Sequence, residues 1–411
     1  MMDASELVFQ NDQPLPMRST LLPTFSVSVM DKTEKVGEKT YFFISVQKLL
    51  YGDLQDESEI RRSIEDFRSL DRRIRVEISE NMPGIIAPRL SNRETTLTED
   101  IPDNHARFMG KYASERIILQ RYLITVLAHP YIGQHKLTSD FLTSPESSVV
   151  NYKFSLGRRM TGAFEDLWGS SYTDPDPYFE ERKQKMAAYS GTVTEFANAF
   201  SLQNINKKNL SSTLALLSHS LESNGHPKDS LLKLWNIAAE VIKQEEVCPD
   251  LSKVQENGPL TAFLQYGWHL AYWNGELTLG TFLKHHIAQM DSFKDMMQRR
   301  TSLLQELDNA KKTSEKAKPP KKEAAHLALA KAEEAVQRST VTGKQEIHRL
   351  KEAETKGFRQ ALIDYAESQM KAAQETYEVL LEQIRRIHEW EPAFPDEDDT
   401  SIPTSDSNSS L

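Results

Sequence analysis

From about Glu323 to Trp390 the chain carries a helical pattern with no internal proline. A helix of that length would run about 100 Å at about 1.5 Å per residue, several times the mean helix of a globular domain. Its apolar stripe must be buried against other long helices, usually in a coiled coil. Just before it, Asp291 to Lys312 reads DSFKDMMQRRTSLLQELDNAKK, and the short segment TSEKAKPPKK, with Pro319 and Pro320, separates the two. A long antiparallel helical pair with a basic turn implies a scaffold or a membrane-shaping rod rather than an enzyme.

The chain has 411 residues, enough for two or three domains. Its net charge is −10, but Asp396, Glu397, Asp398, Asp399 and Asp406 supply half of that excess in the last segment. The body is therefore closer to neutral, and binding to an anionic partner follows local patches. The single cysteine, Cys248, excludes an internal disulfide framework and points to a reducing, cytoplasmic setting. No stretch of 18 uninterrupted apolar residues and no basic-then-apolar leader occur, so any membrane role is expected to be peripheral. Neither a Gly-rich phosphate loop, nor His-Glu-x-x-His, nor paired Cys-x-x-Cys is present. His285 and His286 lie on a helical segment with no obvious carboxylate partner. No enzymatic activity, cofactor, metal or nucleic-acid partner is expected.

Along the chain, Phe25, Val27 and Val29 alternate as in a strand, and TYFFISV repeats the signal after the polar turn DKTEKVGEKT. Ile60, Ile64, Phe67 and Leu70 predict a helix over about Ser58 to Glu77. A Pro/Gly-bounded loop, MPGIIAPRL, follows. Further helices are predicted over Asn104 to Leu127, stopped by His129-Pro130, and over Lys136 to Leu142. Asp176, Pro177, Glu180 and Glu181 form a helix start. Long helices are predicted at about 178–223, 228–312 and 322–390, with interruptions at Asn224 to Pro227 and near 249–259. In the last helix Phe358, Leu362, Tyr365, Gln369, Ala372, Thr376 and Val379 alternate steps of four and three. That seam suits either a coiled coil or an intramolecular bundle.

This order of elements resembles a sorting nexin that joins a phox-homology (PX) domain to a BAR domain. The motif Arg62-Ser63-Ile64-Glu65-Asp66-Phe67, the loop Pro83 to Arg89, and the series Glu115-Arg116, Leu119, Tyr122, Leu123, His129-Pro130, Phe141-Leu142 carry the first half. DSFKDMMQRRTSLLQELDNAKK and the segment from Phe358, with Trp390 beyond, carry the second. The resemblance implies an α+β PX domain with a three-stranded sheet, followed by an all-α, three-helix coiled-coil BAR domain. The boundaries are a flexible N-terminus at 1–21, PX at 22–145, a linker helix at 146–172, BAR at 173–391 and an acidic tail at 392–411. It implies a homodimer or heterodimer on curved early endosomal membranes, working in cargo sorting and retrograde tubule transport with a retromer-type coat or cargo tails.

Phosphoinositide recognition asks for arginines, whose guanidinium makes bidentate bonds to phosphate. Aligned on Phe67, the family's phosphate-gripping Arg and stacking Tyr fall on Ser63 and Ile64. Arg116 and Arg89 match the other two contacts, and a shift by one residue brings Arg61 and Arg62 onto the Arg pair. Some members of the family carry a degenerate motif and use this domain for protein contacts instead, so a cytosolic dimeric adaptor is the second reading. In the linker, Phe154, Met160, Phe164, Leu167 and Trp168 share a helical face flanked by Arg158 and Arg159, which suits membrane insertion or packing on the bundle. At the rod tip Lys311, Lys312, Lys316, Lys318, Lys321 and Lys322 face one nearby acid, Glu315, and suit acidic lipid.

Overall fold

The computed structural model describes residues 25–50, 53–91, 112–144, 172–223 and 259–389. Three antiparallel strands come first: β1 (Phe25–Val36), β2 (Lys39–Leu50) and β3 (Asp53–Ser63), in the order β1-β2-β3. Val36 pairs with Lys39, so only Gly37 and Glu38 turn the first hairpin. Gly37 takes φ 63, the left-handed geometry that a tight hairpin requires and glycine adopts at least cost. The polar run from Asp31 to Thr40, expected as a turn, is thus mostly strand, because its backbone pairs while its side chains face water. A bulge between Val29 and Thr33 interrupts the ladder.

Alternation on β2 sends Phe42, Ile44 and Val46 inward. There they meet α1 (Ile64–Asn81) and α2 (Ala113–Ala128) in one core with Phe67, Leu70, Ile74, Leu119, Tyr122 and Leu123. Ser58 to Ser63, expected as helix, is instead the end of β3, with Ile60 paired to Ile44. The helix begins only at Ile64, where Ser63 and Asp66 close a capping box. A 3-10 turn at Ile132–Gln134 and α3 (Lys136–Thr143) complete this α+β part.

Helices follow: α4 (Pro177–Ser223), α5 (Pro259–Gly275), a π-helical turn at Glu276–Gly280, α6 (Thr281–Lys316) and α7 (Pro319–Glu389). The start of α4 is as expected: Asp176 Oδ1 accepts from the Tyr178 amide at 2.9 Å and Pro177 opens the helix. Between α6 and α7 only Ala317 and Lys318 are non-helical, a tighter turn than the Lys/Pro segment suggested. Pro319 and Pro320 sit in the first turn of α7, where their missing N–H groups break no helical bond. The π turn leaves Glu276 beside Lys284, and a Cβ at Gly280 would stand 2.8 Å from the Glu276 carboxylate.

The chain divides into two compact units. One holds residues 1–208 with 270–370. Within it, α4, α6 and α7 share two apolar clusters, one around Phe200, Phe282, Leu283 and Ala361, the other around Phe179, Phe293, Met296 and Ile347. The other unit holds 209–269 with 371–411. In it a Cβ at Gly267 would meet the Thr376 hydroxyl oxygen at 2.5 Å, so α5 and α7 touch where one side chain is only a hydrogen. An α+β domain followed by long helices is the fold class expected from sequence. The expected helix over 104–111, the linker at 145–171, the interruption at 249–258 with Cys248, Trp390 and the acidic tail lie outside the described residues. Among the described residues no helix is long and apolar enough to cross a membrane.

Candidate functional site

Arg61 and Arg62 leave β3 on opposite faces of the sheet. Arg61 stays exposed, 2.9 Å from Glu34 and over the Tyr41 ring. Arg62 is 1% exposed. Its guanidinium donates to the Phe141 carbonyl at 2.7 and 3.0 Å, to Ser144 O at 2.5 Å and to Arg61 O at 2.8 Å. It thereby satisfies carbonyls at the C-terminal end of α3, which have no helical partner. Burial lowers its pKa, and Asp66 opposes that shift. The expectation that Arg62 meets a phosphate is corrected accordingly: in this fold it is an interior tether. Ser63, where the family motif has its phosphate-gripping arginine, faces inward as a helix cap. Its hydroxyl lies 2.9 Å from Asp66 Oδ2.

Arg116, in the first turn of α2, lies 3.6 Å from Asp31 of β1. Arg89, at the end of the Pro-bounded loop, lies 3.7 Å from Asp295 of α6. The four arginines singled out from sequence thus have four separate sets of partners rather than one shared pocket.

The loop itself is the most elaborately held segment. Ile85, Ile86, Ala87 and Leu90 are buried. Ile86 joins the helical cluster of Phe179, Phe293, Met296, Ile347 and Leu350. Arg299 of α6 donates to Pro83 O at 3.2 Å and to Ile85 O at 2.6 Å. Gln289 donates to Arg89 O at 3.1 Å. From α7, Glu346 accepts from the Ile86 amide at 3.1 Å and from His129 Nε2 at 3.0 Å. Arg349 adds two bonds to the same carboxylate, at 2.8 and 3.1 Å. The fit is close: a Cβ at Gly84 would stand 2.8 Å from the Ser339 carbonyl oxygen and 3.1 Å from the Gly343 nitrogen. Only glycine lets the loop lie so near α7.

The electrostatics of this junction are self-consistent. His129 Nδ1 accepts from the Tyr131 and Ile132 amides, both at 3.2 Å, so Nε2 carries the proton that Glu346 receives. Burial lowers the His129 pKa more than Glu346 raises it, which makes the ring neutral at neutral pH. Burial likewise opposes the Glu346 charge, but its bonds to His129 and Arg349 outweigh that and hold the carboxyl at about 2. With His129 neutral, Arg349 is the balancing charge. Arg299, lowered by burial to about 10, still carries its proton at neutral pH.

A second buried group lies where α2, α4, α6 and α7 meet. His285 Nε2 is 3.1 Å from the Thr125 hydroxyl and His286 Nε2 is 2.9 Å from the Tyr189 hydroxyl. Burial, then Arg121 and His286, lower the His285 pKa to about 3, and burial lowers His286 to about 4. Glu354 has one carboxylate oxygen fully shielded and without a hydrogen bond, and burial raises it to about 7.

The other residues singled out from sequence divide clearly. Lys311, Lys312, Lys316, Lys318, Lys321 and Lys322 are all exposed around the α6–α7 turn. Of the α7 seam, Phe358 packs on Phe282 and on the exposed Phe196, and Tyr365 packs on Phe200. Gln369 donates to Ala271 O at 3.0 Å and accepts from Lys207 at 2.8 Å. Leu362 is 41% exposed and lies outside that core, whose inner position is Ala361. Phe154, Arg158, Arg159, Met160, Phe164, Leu167 and Trp168 are outside the described residues. Sequence reading missed Arg299, Glu346 and Glu354. The adjacent Arg299-Arg300 pair in an otherwise apolar stripe was the available signal for the first, and Glu346 gave none.

No family model matches the chain and no curated protein matches it in sequence. Among solved structures it is similar to the SNX-BAR Mvp1 tetramer determined by cryo-EM, at 13% identity, over 87% of this chain and 98% of that chain, with a TM-score of 0.43.

Proposed function

We propose that this chain is a non-enzymatic sorting nexin of the PX–BAR type, a peripheral protein that senses or remodels curved membranes. The observation that carries the reading is the order α+β domain, then three long helical stretches, with six exposed lysines gathered at the α6–α7 turn. Clustered lysines near an anionic bilayer gain about 1 kcal/mol each, screened by salt. They act as point charges and do not select a headgroup. We place the protein on the cytoplasmic face of early endosomes, in cargo sorting and retrograde transport, as a homodimer or with another sorting nexin. A retromer-type coat and cargo tails are its candidate partners.

A second reading is favoured by the fate of the phosphate motif. Arg62 is interior and Ser63 is a cap, which argues for a PX domain that binds protein rather than phosphoinositide. Arg61, Arg116 and Arg89 then serve as surface or junction charges. Flotation of the purified protein with small and large vesicles, with and without 3-phosphoinositide, separates the two. Salt-sensitive flotation that Lys316→Glu, Lys318→Glu and Lys322→Glu together abolish supports the membrane role. Dimerisation without any flotation supports the adaptor.

A further inference from the structure

Two hydroxyls stand among the lysines that lead into the α6–α7 turn, and the fold treats them differently. Lys311-Lys312-Thr313-Ser314-Glu315-Lys316 suits a protein kinase with an acidic substrate cleft, because lysines on both sides of a hydroxyl pair with that acid. Spacing alone points to Ser314, which follows Lys311 and Lys312 by one intervening residue. In the structure Ser314 is 8% exposed, and its hydroxyl lies 3.3 Å from His326 of α7. Thr313 is exposed, and its hydroxyl donates to the Asn309 carbonyl at 2.8 Å. Arg299-Arg300-Thr301-Ser302 repeats the basic pattern, but both of its guanidiniums are buried, on the Ile85 carbonyl and on Asp174. Arg158-Arg159-Met160-Thr161 lies outside the described residues.

A kinase takes its acceptor in extended form, so the last turn of α6 must open. From Lys311 to Ala328 the only buried residues are Ser314 and Ala325, both small. That end of the hairpin keeps little apolar area from water and opens at less cost than the clusters around Phe282 and Phe293. In the transfer, Thr313 Oγ1 attacks the γ-phosphorus of ATP. The new Oγ1–P bond forms as the bond from that phosphorus to the ADP oxygen breaks, and the hydroxyl proton passes to the kinase's base. The phosphate carries a charge of about −1.5 to −2 at neutral pH, which offsets about two of the lysines. It also stands near the C-terminal carbonyls of α6, where negative charge opposes the helix dipole.

We propose that Thr313 is the phosphate acceptor of a basic-directed protein kinase, and that its phosphate weakens the hold of the lysine turn on anionic lipid. The effect on lipid rests on the membrane reading above; the acceptor does not.

The test treats the full chain with magnesium, ATP and the catalytic domain of protein kinase C. The phosphate is mapped by mass spectrometry, and the product is floated on vesicles of phosphatidylcholine and phosphatidylserine. Phosphate is expected on Thr313, absent from Thr313→Ala at that peptide and retained in Ser314→Ala. The phosphorylated chain is expected to bind the vesicles at least about tenfold more weakly than the untreated chain. Kinase-treated Thr313→Ala is expected to bind as the untreated chain does. Phosphate on Ser314 or elsewhere with Thr313 unmodified, or no phosphate at all, overturns the acceptor. Phosphorylated Thr313 with undiminished flotation overturns the effect on lipid and leaves the membrane reading standing. An untreated chain that does not float overturns the membrane reading and the effect on lipid together, while the mapped phosphate decides the acceptor independently.

Discussion

Arg62 and Ser63 are neighbours at the end of β3, and both are buried for structural ends. Arg62 closes the C-terminal end of α3 from across the domain, while Ser63 opens α1. Hydrogen bonds to a charged group contribute about 1.5–3 kcal/mol each in net terms at most, and a removed partner leaves buried carbonyls unmet. Arg62→Met is expected to lower unfolding free energy by about 2–4 kcal/mol in denaturant titration, whereas Arg61→Ala, which removes an exposed pair, is expected to change it by less than about 1 kcal/mol. Equal effects would show that Arg62 is not a tether.

Glu354 gives a residue-scale prediction of opposite sign. Its carboxyl rises from 4.5 to about 7 on folding. The unfolded chain therefore ionises more easily, and stability is lost as pH rises from about 4.5 to about 7. Glu354→Gln removes that loss. It is expected to stabilise the protein at pH 8 by about 1–3 kcal/mol, with the gain vanishing below about pH 4. A gain that is the same at both pH values would refute burial of the charge as the cause.

At the scale of elements, α7 carries two stripes. Phe358, Ala361, Tyr365 and Ala372 turn into their respective units, while Ile363, Met370 and Tyr377 recur every seven residues and stay exposed. Met370 is 71% exposed and Tyr377 is 61% exposed. A heptad stripe on a long helix is what a second coiled-coil partner covers. In the proposed dimer, Met370→Glu is expected to shift the equilibrium toward monomer in analytical ultracentrifugation with helicity unchanged. Lys371→Glu, one residue on, is the control expected to leave association intact. A dimer that tolerates Met370→Glu would place the interface elsewhere.

For the whole molecule, acid is the sensitive direction. His129, His285 and His286 are held neutral, so below about pH 6.5 the unfolded state binds protons that the fold refuses. Each contributes a loss of up to about 1.4 kcal/mol per pH unit. Glu354 works against this between about pH 7 and 4.5, but His285 and His286, held to about 3 and about 4, outweigh it over that range. Glu346, held at about 2, adds a further loss as pH falls below about 4.5 toward 2. Thermal melts are expected to show a midpoint that falls steadily from pH 6.5 to pH 4.5, and a flat profile would mean that the histidines are not buried neutral.

Local sequence determined what depends on neighbours along the chain. Alternation at Phe25, Val27 and Val29 gave a strand. Asp176 and Pro177 began α4, and the absence of proline after Pro320 allowed a helix of 71 residues. Such features follow from backbone sterics and hydrogen bonding within a few residues. Tertiary structure decided the rest. Ser58 to Ser63 became strand because β2 offered a pairing edge, against the helical spacing of Ile60 and Ile64. Arg62 turned inward because the end of α3, 79 residues away in sequence, presented unpaired carbonyls. Glu346 became the centre of a junction only because the Ile86 amide, 260 residues earlier, lies against it. A side chain's role as cap, tether or latch is fixed by which buried polar groups fall within about 3 Å of it, and no spacing in the sequence encodes that distance.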